Sequence, residues 1–126
     1  MDLALSGSLF SVSGFVAYQY NNYITSCTSC LLSVTSILFH LHRTPFSYWM
    51  DQIALYTVIL RSFVDGYEKG ISGITISLVV CSYNYIIFFS PYSKFCCFHP
   101  NQSIQHKWHM TIHIMSVLGI ILQQVC

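Results

Sequence analysis

Charge is what this sequence lacks most. Its basic residues are Arg43, Arg61, Lys69, Lys94 and Lys107 and its acidic ones Asp2, Asp51, Asp65 and Glu68, together 7% of 126 positions. A soluble surface usually carries charge at roughly a quarter of its positions, so an ordinary water-facing globule is excluded. The formal balance of +1, with no basic run and no acidic tail, argues against a nucleic-acid partner and against an acidic protein partner. A second Cys-x-x-Cys pair is missing too. Cys27-Thr-Ser-Cys30 stands alone and cannot complete a zinc knuckle, while Cys27, Cys30 and Cys81 lie in apolar stretches where cysteine acts as a small hydrophobe. The alternation that would mark the strands of a membrane barrel is absent, and no internal repeat is visible.

What the chain has in quantity is apolar length. No Asp, Glu, Lys or Arg occurs from Leu3 to His42, from Gly70 to Ser93, or from Trp108 to Cys126. About 20 residues at 1.5 Å rise cross a hydrocarbon core of roughly 30 Å. Five apolar segments can be drawn, residues 3–20, 24–42, 49–67, 71–89 and 107–125. They are separated by Asn21-Asn22, Thr44-Pro45, Glu68-Lys69-Gly70 and a loop from Ser90-Pro91 to Asn101, all turn-forming or helix-breaking. Each segment is about one membrane thickness long, and backbone groups in lipid must be satisfied within their own segment. The expectation is an all-α integral membrane protein, one bundle of about five transmembrane helices spanning residues 1–126. The first run has neither a basic region before it nor a small-residue cleavage site, so it reads as a retained helix. Its Ser6, Gly7, Ser11, Ser13 and Gly14 are expected to let helices approach closely. Cys96 and Cys97 flank an aromatic loop and could accept a fatty acyl chain, although two unmodified loop cysteines are the preferred reading.

Against this background the ionisable residues within the apolar segments stand out, because at such depth they are costly and usually face a bundle interior where they pair, bind metal or carry function. Ser36-Ile-Leu-Phe-His40 puts a hydroxyl and an imidazole on one helix face, four residues apart. Asp51 follows eleven residues after His40, and His109-Met-Thr-Ile-His113 repeats the four-residue spacing. Alternating helix directions bring the end of the second segment, the start of the third and the start of the fifth to one side of the membrane. Three histidines near a carboxylate suit a catalytic zinc: three protein ligands leave a fourth position for water, and the carboxylate can orient that water or take its proton. Taken singly, each element has a plainer reading. Asp51 could be a helix N-cap or first-turn acid, Ser36 could bond its own backbone, and the histidine pair beside Trp108 could sit among headgroups. Their joint arrangement is far more specific.

The pattern Ser36-x-x-x-His40, then Asp51, then His109-x-x-x-His113 resembles the superfamily of alkaline ceramidases, adiponectin-receptor-type proteins and the phospholipase-like proteins that remodel GPI anchors. The step from His40 to Asp51 is similar to the ceramidase and GPI-remodelling branches, and Thr44-Pro45-Phe46 with Met50-Asp51 leans towards the latter. The resemblance covers residues 33–60 and 106–119. It implies that His40, His109 and His113 bind Zn2+, that Asp51 holds and deprotonates the attacking water, and that Ser36 hydrogen-bonds the site or the developing oxyanion. His106 is the substitute ligand. Such proteins usually have seven helices; a fold shortened to five keeps the parity that returns the last helix to the site.

The function expected is zinc-dependent hydrolysis of a lipid amide or ester presented from the bilayer. The alternative is a non-enzymatic receptor-like or assembly protein in which the same metal ties helices together. A proton or metal transporter ranks last, for want of a carboxylate in the later helices. Arg43, Lys94 and Lys107 border the histidine side against Arg61 and Lys69 on the other, which favours a cytosolic histidine side.

Overall fold

The computed structural model describes residues 3–89 and 101–125, and among them all regular structure is helical. The acylation candidates Cys96 and Cys97, with Lys94 and most of the loop before Asn101, lie outside the described residues. The elements are α1 (Leu3–Gly7), α2 (Leu9–Gln19), α3 (Tyr23–Leu41), α4 (Pro45–Lys69), α5 (Ile71–Asn84), a π-helical turn (Tyr85–Phe89) and α6 (Gln102–Val125). A single turn at Ser8 separates α1 from α2, and the π turn prolongs α5, so the described residues form five helical rods. Two helices, Tyr23–Leu41 and Ser103–Val125, are long and apolar enough to cross a membrane; Ile71–Ile87 is a shorter apolar helix.

Helix starts depart furthest from the sequence expectation. The third segment, expected from residue 49, begins at Pro45, because Thr44 and Ser47 form a reciprocal capping box and proline sits in the first turn. A proline there loses no hydrogen bond and its φ is already helical. Thr44-Pro45 is therefore the start signal of α4 and not only a break. Asp51 consequently lies in the second turn, and its reading as an N-cap or first-turn acid is corrected. In the same way α6 begins before the expected residue 107, at Gln102, because the Asn101 side-chain oxygen accepts hydrogen bonds from the Ser103 and Ile104 amides at 2.9 and 3.4 Å. At the other turns Asn21 takes a positive φ of 61° and Gly70 one of 87°, a region open to glycine and tolerated by asparagine.

Packing is closest where side chains are smallest. A Cβ on Gly7 would lie 2.6 Å from Ser36 Oγ, and one on Gly14 would lie 2.7 Å from Cys30 Sγ, so the first two helices press directly on α3. Ser6, Ser13, Gly7 and Gly14 are buried as expected of a close-approach stripe, but Ser11 is exposed and takes no part. Gly66 and Gly73 bring α4 and α5 together in the same way, and Gly119 meets Val80. The core proper is Phe10, Leu32, Ala54, Val58, Val117 and Ile120. Beside it lies a cleft whose lining includes Phe10, Leu32, Val58, Val80 and Gln123.

Polar contacts at one end of the bundle settle its directions. Asn22 at the start of α3, Asp65 near the end of α4 and Gln124 near the end of α6 are mutually hydrogen-bonded. The last turn of α3 therefore lies at the opposite end, together with the beginnings of α4 and α6.

Candidate metal centre

At that opposite end α3 contributes His40 and α6 contributes His109 and His113. One turn separates the two α6 histidines, so their rings lie one above the other on a single helix face. Each of the three offers a nitrogen, and the three nitrogens all lie within 4.8 Å of one another. Ring centroids are 5.2 Å apart for His40 and His109, 5.6 Å for His40 and His113, and 4.8 Å for His109 and His113. His113 is buried and the other two are half-buried. Tetrahedral zinc with nitrogen ligands at about 2.0–2.1 Å needs nitrogens roughly 3.3 Å apart, a contraction that side-chain torsions can supply. Three neutral imidazoles are a suitable donor set for that ion.

The three expected ligands are thus brought together. The remaining expected site residues are arranged differently. Asp51 lies outside the group that meets the 4.8 Å spacing; it accepts a hydrogen bond from Thr35 Oγ1 at 3.4 Å, and that hydroxyl also bonds the Leu32 carbonyl at 3.1 Å. Ser36 is buried one turn before His40, with its Oγ against the glycine surface of Gly7. Among the described residues no hydrogen bond joins Ser36 to the three histidines. His106, the expected substitute ligand, also stays outside the group.

Two participants had no sequence signal strong enough to select them. Ser6, read only as a small packing residue, places its Oγ 2.7 Å from His113 Nδ1 and is fully buried. Phe10, one turn further on, sets its ring edge-on to His113 at 5.6 Å and also lines the cleft. The histidine cluster and the cleft therefore share a wall. On the other flank Phe39 tilts against His40 at 5.4 Å, and the Arg43 guanidinium lies 5.5 Å from the Phe39 ring centre, a cation–π contact.

A second polar cluster occupies the far end. Arg61 and Asp65 form an ion pair at 2.9 Å, with Asp65 only 2% exposed. Asp65 Oδ2 also accepts hydrogen bonds from Thr25 Oγ1 and from Asn22 Nδ2, the latter at 3.1 Å. Arg61 donates to Thr25 Oγ1 and Asn22 Oδ1, each at 3.2 Å, and Lys69 reaches the Gln124 carbonyl at 3.3 Å. The four-residue spacing of Arg61 and Asp65 was a legible signal for a helix-face ion pair; its partners on α3 and α6 were not.

No family model matches this chain, and no curated protein and no solved structure matches it either.

Proposed function

We propose that this chain is a multi-pass membrane hydrolase that holds zinc with His40, His109 and His113 and cleaves an amide or ester bond of a lipid, in the manner of the ceramidase and GPI-remodelling superfamily that its motifs resemble. The observation that carries the reading is the convergence of three imidazole nitrogens, from α3 and α6, within 4.8 Å. Unliganded imidazoles are expensive to bury together in an apolar bundle, and coordination removes that cost.

The membrane part of the reading rests on inverted packing. On α3 the buried residues are Thr25, Ser29, Leu32, Ser33, Thr35 and Ser36, whereas Ile24, Leu31, Val34 and Leu38 are exposed. Water would favour the reverse arrangement; lipid favours this one, with small polar groups inside and branched apolar groups outside. Exposed Tyr20, Tyr23 and Tyr67 at one end, and exposed Tyr48 and Trp49 at the other, suit the two interfacial belts of a spanning bundle. All five rods then cross the bilayer.

Zinc in this triad would supply a nucleophile from water near neutral pH and polarise the scissile carbonyl. Asp51 takes the proton released as water attacks and returns it to the leaving amine or alkoxide. The resemblance gives Ser36 the role of donating towards the oxyanion that develops on the carbonyl. The cleft that shares Phe10 with the cluster has a largely apolar lining, suited to contact with a lipid chain. A second reading, a structural metal in a non-enzymatic membrane protein, is favoured by one observation: Asp51 bonds to Thr35 outside the histidine group.

The test is metal analysis of the purified chain in detergent, followed by a lipid-hydrolysis screen. About one zinc per chain is expected, lost in His40→Ala and His113→Ala and retained in Asp51→Asn. Hydrolysis that disappears in all three variants supports the enzyme. Zinc present in folded protein with no turnover of ceramide-like amides or glycerolipid esters leaves the structural-metal reading, and absence of stoichiometric metal ends both.

A further inference from the structure

The hydrogen bond between Ser6 and His113 links α1 to α6 at 2.7 Å, from a serine with 0% exposure to a histidine with 7%. Its direction decides what His113 can do. A neutral imidazole protonates one nitrogen and leaves the other as an acceptor. If the Ser6 hydroxyl donates to Nδ1, the ring proton sits on Nε2 and that nitrogen cannot ligate. If Nδ1–H donates to Ser6, Nε2 keeps a bare lone pair and is able to ligate. Ser6 can act as the acceptor because a helical serine is able to send its own proton to a carbonyl of the preceding turn. Ser8, Ser11 and Ser13 do so along the same segment, donating to the carbonyls of Leu5, Ser8 and Phe10.

We infer that Ser6 is a positioning residue for the metal centre: its Oγ accepts the Nδ1 proton of His113, fixing the ring as the Nδ1–H tautomer with Nε2 able to ligate. This inference rests on the zinc reading. The tautomer so selected is the less favoured one for a free imidazole, so the protein has to impose it. Phe10 holds the ring edge-on from a second side, which leaves Ser6 in control of the proton and Phe10 in control of the tilt. Metal-ligating histidines generally donate their other ring N–H to an oxygen, and losing that partner typically costs about 10–100-fold in metal affinity. Here the oxygen comes from the first helix, which gives α1 a role in a site whose ligands are all on α3 and α6. Gly7 supports the same docking, since its missing Cβ lets α1 sit directly on Ser36.

The experiment uses the full chain in detergent, labelled with nitrogen-15 histidine, as wild type, Ser6→Ala and Ser13→Ala. Ser13 is an equally buried serine of the next helix whose hydroxyl bonds the Phe10 carbonyl at 2.7 Å, so its loss controls for a missing buried hydroxyl. In metal-free protein the ring nitrogen shifts of His113 report its tautomer. The result expected is the Nδ1–H form in wild type and Ser13→Ala, and a shift towards the Nε2–H form in Ser6→Ala. Zinc affinity by chelator competition should then fall about 10–100-fold in Ser6→Ala and stay within about twofold of wild type in Ser13→Ala. An Nε2–H tautomer in wild type, or equal zinc affinity in Ser6→Ala and wild type, overturns the inference while leaving the zinc reading intact. A wild-type chain that takes up no zinc overturns both, and the two failures are told apart by the wild-type measurement alone.

Discussion

The two ends of the bundle solve the burial of polar groups in opposite ways. At the far end Asp65 meets Arg61, Thr25, Asn22 and Gln124, so a carboxylate that could not be buried alone has a counter-charge and several donors from neighbouring helices. The network contains both signs and both hydrogen-bonding roles. At the near end three side chains of one chemical kind converge, each with a nitrogen turned towards the others. The first arrangement reads as a joint between helices, and the second as a candidate metal site.

The comparison is most readily broken at the joint. Asp65→Ala leaves the Arg61 guanidinium without its partner in a largely buried place, and removing one member of a buried pair typically costs about 3–5 kcal/mol. Thermal unfolding in detergent should show the largest loss of stability of any single substitution proposed, and the fraction that remains folded should keep its zinc. A folded, zinc-free Asp65→Ala protein would mean that the two ends are not separate devices.

The near end is expected to respond the other way. His40→Ala should weaken zinc binding by about 100-fold or more, beyond the loss typical of an outer-shell partner, while the melting temperature measured with chelator changes little. Should the melting temperature fall as far as in Asp65→Ala, the histidines are packing residues and the contrast fails. A smaller effect is expected where α1 meets α3. Gly7→Ala directs a Cβ into Ser36 Oγ at 2.6 Å, and such overpacking costs about 1–3 kcal/mol; because the displaced helix carries Ser6, a parallel weakening of zinc binding would sharpen the link between packing and site. Gly70→Ala at the far turn tests stability alone: nothing lies within 4 Å of the added Cβ but φ is +87°. Backbone strain should cost about 1–3 kcal/mol, with zinc affinity unchanged.

Much of this organisation was legible beforehand because it follows from local chemistry. Scarce charge and long apolar runs announced helices, and four-residue spacing put His109 and His113 on one face. The helix starts were less legible. Thr44-Pro45 reads equally as a stop and as a cap, and only the reciprocal Thr44–Ser47 bonds decide it. Ser6 was illegible as anything but a small residue, because a serine in a charge-free helix has the same local context whether it meets a histidine or a methyl group. Asp51 was expected at the site through its spacing from His40, and its bond to Thr35 depends on how α4 is rotated against α3, which spacing does not encode.

By itself the sequence determined the helical class, the places where the chain turns, and the candidate ligands, since helix period, turn chemistry and the cost of burying ionisable groups act over a few residues. Tertiary structure alone decided that His40 meets the α6 pair, that Ser6 and not Ser36 bonds to His113, and that Asp65 gathers Asn22, Thr25 and Gln124 around it. Those pairings depend on the rotation and height of one helix against another, set by the glycines and small side chains that allow close approach and by the few hydrogen bonds that fix the register.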